Sequence, residues 1–146
     1  MHPLREKSEN PRVKKILIVD DDADMTFLMS ETLHEQHHYQ VTVAHNGPDA
    51  VARTSKEDFD LIVLDIRMPF FSGLWFCDAL KCRPQTKNTP VLIVSGLPAE
   101  ENMQKAYRLG ASAYLKKPFR SDELLQVVKK LLSGAGGAET KHSPSW

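Results

Sequence analysis

Short apolar segments recur along the chain and predict the strands of a buried sheet. Four of them, at residues 15–19, 61–64, 91–94 and 113–115, are almost uninterrupted by polar residues. Continuous apolarity is typical of strands in a parallel sheet that is covered on both faces. A fifth segment, residues 40–44, alternates polar and apolar residues, as an edge strand does. The pattern therefore predicts four buried strands and one edge strand.

Helical segments separate these strands. They cover about residues 24–36, 48–55, 74–82, 100–109 and 121–132. Helix breakers stand near the boundaries, with Gly47-Pro48 before the second helix and Gly110 after the fourth. Repeated strand-then-helix units connect through right-handed crossovers. The predicted fold class is therefore α/β, a doubly wound five-stranded parallel sheet with five helices on its two faces.

Length and charge restrict the functions that this chain can have. Its 146 residues suffice for one domain with a core of its own, and 19 basic residues balance 19 acidic ones. A basic field that drives binding to nucleic acid is absent, so no direct nucleic-acid contact is expected. No apolar stretch approaches the roughly 20 residues of a membrane span, and the first residues lack the apolar segment of a secretory signal. We therefore expect a cytoplasmic protein with no membrane partner.

The two ends differ from the rest of the chain in composition. Residues 1–12 are polar, and residues 133–146 are rich in glycine and serine and cannot bury enough apolar surface to order themselves. We expect a polar extension at 1–12, one folded domain at 13–132, and a flexible tail or linker stub at 133–146. Cys77 and Cys82 match neither a redox pair nor a metal site, so we expect both to be reduced, with Cys77 in the core.

Carboxylates follow two of the predicted strands. The first strand ends at Asp20 and Asp21, and the third ends at Asp65. In a doubly wound sheet, ligands bind beyond the carboxyl ends of the strands where the strand order reverses, and strands one and three flank that point. A bound cation would offset the crowding of like charges, and oxygen ligands suit a hard divalent cation. Ser95 after the fourth strand and Lys117 after the fifth would join this pocket.

Each of these residues also has a purely structural interpretation. Asp20 and Asp22 could cap the first helix, Ser95 could be an ordinary loop hydroxyl, and Lys117 could be a solvated surface charge, since short motifs recur by chance. The joint occurrence of all of them in one order favours a functional site.

In this order and spacing the residues resemble the receiver domain of two-component response regulators, over about residues 13–132. The shared features are Asp20-Asp21, Asp65 followed by Met68-Pro69 and Gly73, Ser95 followed by Gly96, Tyr114, and Lys117-Pro118-Phe119. The successive separations of Asp21, Asp65, Ser95 and Lys117 are 44, 30 and 22 residues. The resemblance implies a flavodoxin-like three-layer sandwich with strand order 2-1-3-4-5.

The resemblance also implies a chemistry. Asp65 would be the nucleophile that attacks a phosphohistidine on a sensor histidine kinase or a histidine phosphotransfer protein, and it would become an acyl phosphate. Mg²⁺, with Mn²⁺ as a substitute, would be held by Asp20, Asp21, Asp65 and the backbone carbonyl of Arg67. Such a protein catalyses only its own phosphorylation and dephosphorylation and is not otherwise an enzyme.

A switch follows from the same resemblance. Lys117 would pair with one phosphoryl oxygen, with the Lys117–Pro118 peptide bond cis, and Ser95 would donate a hydrogen bond to another. A shift of the loop behind Ser95 would open space into which Tyr114 rotates. The phosphoryl group would thereby bias two existing states, and the fourth helix, fifth strand and fifth helix would signal to a downstream protein or output domain.

The loop after Asp65 departs from the family pattern. Ser72 stands before Gly73, where the family commonly has an acidic residue, and Phe70 and Phe71 are unusual in an exposed loop. We expect both rings to fold back on the core, the alternative being an apolar contact for a partner. A second departure concerns Arg67 and Leu97, two residues past the acceptor and two past the serine. We hypothesise that these side chains obstruct the attacking water and prolong the life of the acyl phosphate.

Other interpretations fit the sequence less well. Residues 34–38 match the zinc-protease pattern H-E-x-x-H, but they end the first helix far from the carboxylates, with no third ligand evident. A haloacid-dehalogenase-type phosphatase needs a second aspartate where this chain has Arg67. A flavin or nucleotide binder needs a hydroxyl- or glycine-rich loop after strand one, where residues 20–24 would repel phosphate. A degenerate receiver that acts only through contacts is the alternative function, disfavoured because every chemical residue is present.

Overall fold

The structure, a computed structural model, describes residues 12–36, 39–96 and 99–133, without the side chains of residues 99–101. Its main sheet has five parallel strands in the order β2-β1-β3-β4-β5. The strands are β1 (Lys14–Val19), β2 (Tyr39–Ala44), β3 (Leu61–Leu64), β4 (Val91–Ser95) and β5 (Ala113–Lys116). The predicted strands and their order are thus confirmed.

Four helices connect the strands, and a fifth follows the last strand. They are α1 (Ala23–His34), α2 (Gly47–Lys56), α3 (Gly73–Lys81), α4 (Ala99–Arg108) and α5 (Ser121–Leu132). Side chains cap three of them: Asp22 accepts from the backbone of α1, Asn46 from that of α2 and Ser72 from that of α3. These caps fix the first turn of each helix, which lies beyond the carboxyl ends of the strands.

Each face of the sheet carries its own core. One core joins the sheet to α1 and α5, through residues such as Met29, Leu33, Leu124 and Val128. The other joins it to α2, α3 and α4, through Ala50, Phe76, Leu80 and Ala106. Successive strand residues point to opposite faces, and both faces are covered, so the buried strands are apolar throughout. The α/β three-layer architecture predicted from sequence is confirmed.

A short hairpin follows β3, in which Arg67–Met68 pairs antiparallel with Phe71–Ser72. The apolar pattern did not predict it. Both cysteines are free thiols, with Cys77 buried, as expected, and Cys82 exposed. None of the described helices is long and apolar enough to cross a bilayer. The predicted extension before residue 12, the tail after residue 133, His37, His38 and Leu97 lie outside the described residues.

Candidate functional site

Three carboxylates meet at the carboxyl edge of the sheet. The side chains of Asp20, Asp21 and Asp65 each offer an oxygen, and these oxygens lie within 4.8 Å of one another. Asp20 is 1% exposed and Asp65 7% exposed, whereas Asp21 faces solvent. In the part of the chain that the structure describes, no other group of three metal-ligating side chains comes together. The pocket expected from the ends of the first and third strands is therefore present.

The sheet itself positions Asp20 and Asp65. The Asp20 N–H donates to the Ala44 carbonyl of β2 at 3.1 Å, and the Asp65 N–H donates to the Val19 carbonyl of β1 at 2.9 Å. Hydrogen bonding between neighbouring strands thus extends through both aspartates. Asp22, the next acidic residue, instead caps α1 by accepting from Asp24 and Met25. Of the two possible helix caps, Asp22 has that role and Asp20 belongs to the pocket.

The two buried carboxylates are held in the same way. The Asp22 N–H donates to Oδ1 of Asp20 at 3.0 Å, and the Arg67 N–H donates to Oδ1 of Asp65 at 3.1 Å. Each aspartate therefore bonds the backbone N–H two residues further on, as aspartates do in tight turns. This contact orients each carboxylate and leaves Oδ2 directed at the pocket. Oδ2 of Asp65 lies 3.8 Å from the ammonium of Lys117.

Lys117 supplies a positive charge to the same pocket. Its Nζ lies 3.1 Å from Oδ2 of Asp20 and 3.8 Å from Oδ2 of Asp65. The Lys117 N–H donates to the Ser95 carbonyl at 2.9 Å, which ties the start of this loop to the end of β4. The Lys117–Pro118 peptide bond is cis, as the resemblance implies. The lysine is thus a member of the site and not a solvated surface charge.

The electrostatics of the pocket make ionisation of Asp65 less favourable than that of an ordinary aspartate. Burial raises the pKa of Asp65 to about 6, the Arg67 N–H opposes that shift, the nearby Asp20 adds to it, and Lys117 lowers it. One ammonium beside two buried carboxylates does not neutralise them. A divalent cation would complete the neutralisation, and carboxylate oxygens are the donors that hard cations prefer. The donor set therefore fits Mg²⁺ or Mn²⁺.

Ser95 and Tyr114 lie behind the pocket. Ser95 ends β4 and is fully buried, and Tyr114 is 1% exposed in the core between the sheet and α4. Burial raises the pKa of the Tyr114 phenol, the Ser95 hydroxyl lowers it, and the Asp65 carboxylate raises it further. The side chain of Tyr114 is turned inward in this structure.

Gly73 closes the loop that begins at Asp65. A Cβ at this position would lie 2.4 Å from Cα of Ile66 and 2.6 Å from the carbonyl oxygen of Asp65. Backbone atoms cannot move aside as the end of a flexible side chain can, so only glycine fits. The first turn of α3 therefore packs directly on the backbone of Asp65. Gly73 belongs to the motif that carries the family resemblance, but the reason for a glycine at this position is visible only in the structure.

The two phenylalanines of the hairpin have different environments. The centroid of the Phe71 ring lies 5.4 Å from that of Phe76 and 6.2 Å from that of Trp75. The same ring covers the backbone of Gly47 at the start of α2. Phe70 has a φ of 59° at the turn and is fully exposed. The expectation that both rings fold back on the core is correct for Phe71 and wrong for Phe70, because the turn directs that side chain outward.

Comparisons with known proteins identify the family to which this fold belongs. The family model described as the response regulator receiver domain matches residues 16–129. The transcriptional regulatory protein CpxR of Escherichia coli K12 is 35% identical over 131 residues, which are 90% of this chain and 54% of CpxR. Protein PilH of Pseudomonas aeruginosa is 35% identical over 120 residues, which are 82% of this chain and 98% of PilH. The chain thus spans about half the length of CpxR and almost all of PilH.

Solved structures agree with the sequence relatives. The chemotaxis response regulator CheY4 of Vibrio cholerae superimposes with a TM-score of 0.77 at 33% identity, covering 82% of this chain and 99% of CheY4. The BeF3 activated receiver domain of DrrB gives a TM-score of 0.73 at 33% identity, covering 83% of this chain and 98% of that domain. Since the family model covers nearly the whole folded region, the chain belongs to the response regulator receiver family of two-component signalling.

Proposed function

We propose that Asp65 accepts a phosphoryl group from a phosphohistidine, and that the chain thereby passes on a two-component or phosphorelay signal. The observation that carries this proposal is the state of the Asp65 carboxylate. Oδ1 is held by the Arg67 N–H, whereas Oδ2 faces the pocket beside Lys117. An in-line attack needs one oriented oxygen and positive charge near the transferred group, and little other covalent chemistry.

The metal would be held by Asp20, Asp21, Asp65 and the backbone carbonyl of Arg67. When bound, Mg²⁺ neutralises charge on the phosphoryl oxygens as it develops. Asp20 has a second role, because its Oδ2 accepts from Lys117 at 3.1 Å and so holds the ammonium at the edge of the pocket. From there the lysine would pair with a phosphoryl oxygen and so stabilise the acyl phosphate formed on Asp65.

Ser95 and Tyr114 would carry the signal away from the pocket. The Ser95 hydroxyl would donate to a phosphoryl oxygen, and Tyr114, which is buried against α4, would respond to that change. The faces of α4, β5 and α5 would then present a different surface to a downstream protein or an output domain. Both kinds of readout are compatible with the comparisons, since the match covers 98% of PilH and 54% of CpxR.

The phosphodonor partner would be a sensor histidine kinase or a histidine phosphotransfer protein. Donor and acceptor then exchange one phosphoryl group: the N–P bond of the phosphohistidine breaks as the O–P bond at Asp65 forms. We assign the reaction to the cytoplasm, a reducing compartment in which Cys77 and Cys82 stay free thiols.

The experiment is incubation with phosphoramidate, a small phosphodonor, followed by intact-mass measurement. Wild-type protein should gain one phosphoryl group in Mg²⁺ and none when the metal is chelated, and hydroxylamine should remove it, as it does an acyl phosphate. Asp65→Asn should gain nothing. Asp58→Asn, which changes an exposed carboxylate outside the pocket, should behave as wild type. Labelling of Asp65→Asn would show that another residue accepts the phosphoryl group, and absence of labelling in the wild type would leave a receiver that acts through contacts alone.

A further inference from the structure

Two tyrosines meet where α4 packs on β5. Tyr114 belongs to the core on this face of the sheet, and Tyr107 of α4 packs against the same core. Both phenol oxygens are buried, and among the described residues neither forms a hydrogen bond of normal geometry, although the Ser95 hydroxyl lies close enough to lower the pKa of Tyr114 and the Tyr114 backbone that of Tyr107. Buried hydroxyl groups are normally paired, because removing them from water without a partner is unfavourable. Burial of the Tyr107 and Tyr114 hydroxyl groups therefore makes the contact between α4 and β5 less favourable.

The Tyr107 hydroxyl lies near the backbone of Tyr114. Burial raises the pKa of the Tyr107 phenol, and the backbone of Tyr114 partly opposes that shift. The hydroxyl thus lies beside the Tyr114 backbone without forming a well-aligned hydrogen bond to it. A small displacement of α4 or β5 would either complete this bond or expose the hydroxyl to water. Tyr107 is therefore sensitive to the position of β5 at Tyr114.

Tyr114 is in turn connected to the acceptor pocket. Tyr114 pairs in register with Ile93, which lies two residues before the buried Ser95 and on the same side of the sheet. The Asp65 carboxylate is near enough to raise the pKa of the Tyr114 phenol, and Tyr107 packs against the same core as Tyr114. Ala106, next to Tyr107 on α4, is fully buried, so the helix cannot rotate there without moving the core.

We propose that Tyr107 is a positioning residue for the acceptor pocket: its buried hydroxyl weakens the packed contact of α4 with β5, and so lowers the affinity of the pocket for a phosphoryl group. The inference rests on the proposed function, since it assumes that a group bound at Asp65 favours the inward position of Tyr114. A ligand that prefers one of two states binds more tightly when that state is stabilised by other means.

The variant that isolates the hydroxyl is Tyr107→Phe. It keeps the ring in the core and removes only the buried phenol oxygen. The substitution removes the unfavourable burial of this hydroxyl from the packed state and creates no cavity. The matched control is Tyr39→Phe, because Tyr39 lies on β2 against the core of the opposite face and its phenol is also partly desolvated.

The test is calorimetric titration with beryllofluoride in the presence of Mg²⁺, a phosphoryl mimic that also marks the activated DrrB structure. Tyr107→Phe should bind beryllofluoride about fivefold more tightly than wild type does. This factor is expected when the unfavourable burial of one hydroxyl group is removed. Tyr39→Phe should bind as wild type. In a Tyr114→Ala background, Tyr107→Phe should no longer change the affinity, because the connecting ring is gone.

The outcomes separate this inference from the proposed function. If Tyr107→Phe raises resistance to urea but binds beryllofluoride as wild type does, the residue is structural and the inference is wrong. If its effect persists in Tyr114→Ala, the connection through Tyr114 is wrong. Wild-type protein that binds no beryllofluoride would overturn the proposed function, and this inference with it.

Discussion

The ammonium of Lys117 lies closer to Asp20 than to Asp65, with Nζ 3.1 Å from Oδ2 of the first and 3.8 Å from Oδ2 of the second. Asp20 is almost fully buried, whereas Lys117 retains 19% exposure. The buried carboxylate of Asp20 therefore holds the lysine, and the lysine shares its charge with Asp65. An ion pair in this position serves the pocket more than the stability of the fold, because burial of both charges offsets most of their attraction.

Removal of the lysine charge should affect both stability and phosphorylation. Lys117→Gln leaves two close carboxylates without their cation, so the free energy of unfolding should fall by about 1–3 kcal/mol in chelator. Addition of Mg²⁺ should restore most of that loss, while labelling by phosphoramidate should stay at least about tenfold slower than in wild type. The control is Lys116→Gln, since Lys116 is exposed at the end of β5. Equal effects of the two substitutions would contradict the assigned role.

The stability of the metal-free protein should depend on the ionisation of Asp65. Its pKa of about 6 in the folded protein exceeds the usual value of 3.8, so between these values the folded chain keeps a proton that the unfolded chain has lost. The stability that Asp65 contributes is therefore present below about pH 4 and is lost as the pH rises through about 6. Asp65→Asn cannot lose a proton, and it should be more stable than wild type by about 1–3 kcal/mol near pH 8.

Urea unfolding in chelator at several pH values measures this difference. The stability gap between Asp65→Asn and wild type should widen as the pH rises from about 4 to about 6 and stay level above that, and Mg²⁺ should narrow it again. Asp58→Asn should show no such pH dependence relative to wild type. A gap that stays constant with pH would mean that Asp65 does not titrate where its surroundings indicate.

Gly73 should be intolerant of any side chain. Gly73→Ala places a Cβ against the backbone of Ile66 and Asp65, and overpacking of this kind lowers stability by about 1–3 kcal/mol. Gly96→Ala is the control, because its nearest neighbour would be Cβ of Lys117 at an ordinary 3.8 Å. The measurement is urea denaturation of both variants. If Gly73→Ala proved as stable as Gly96→Ala, the close packing of α3 on the acceptor backbone would be wrong.

Phe70 and Phe71 should respond differently to the same substitution. Phe71→Ala removes a ring that packs on Phe76, Trp75 and Gly47, and the free energy of unfolding should fall by about 2 kcal/mol. Phe70→Gly should instead raise stability by about 0.5–1 kcal/mol, since glycine adopts a positive φ without strain. Thermal unfolding of the two variants is the comparison, and equal losses would show that Phe70 also belongs to the core.

Much of the fold and the pocket could be predicted because each depends on a local rule. Unbroken apolar segments predict buried parallel strands, and polar residues at the ends of neighbouring strands meet at one edge of the sheet. Asp20, Asp65, Ser95 and Lys117 all stand at such ends. The cap at Asp22 follows from the same kind of rule, since aspartate before a helix accepts from its first turn.

The remaining features depend on contacts between distant residues. Phe70 and Phe71 are identical and adjacent, and only the two-residue turn and the space above Gly47 decide which ring is buried. The distances from Lys117 to the carboxylates of Asp20 and Asp65 depend on the conformation of the loop after β5. The environment of the two buried phenol oxygens depends on how α4 packs against the sheet. No periodicity in the sequence encodes these relationships.

The most direct measurement is chemical identification of the phosphorylated atom. Protein phosphorylated in Mg²⁺ is reduced with borohydride, which converts an aspartyl phosphate to homoserine, and is then sequenced by peptide mass spectrometry. The account predicts homoserine at position 65 alone. Homoserine at Asp20 or Asp21, or a phosphoryl group retained on a histidine, would contradict it.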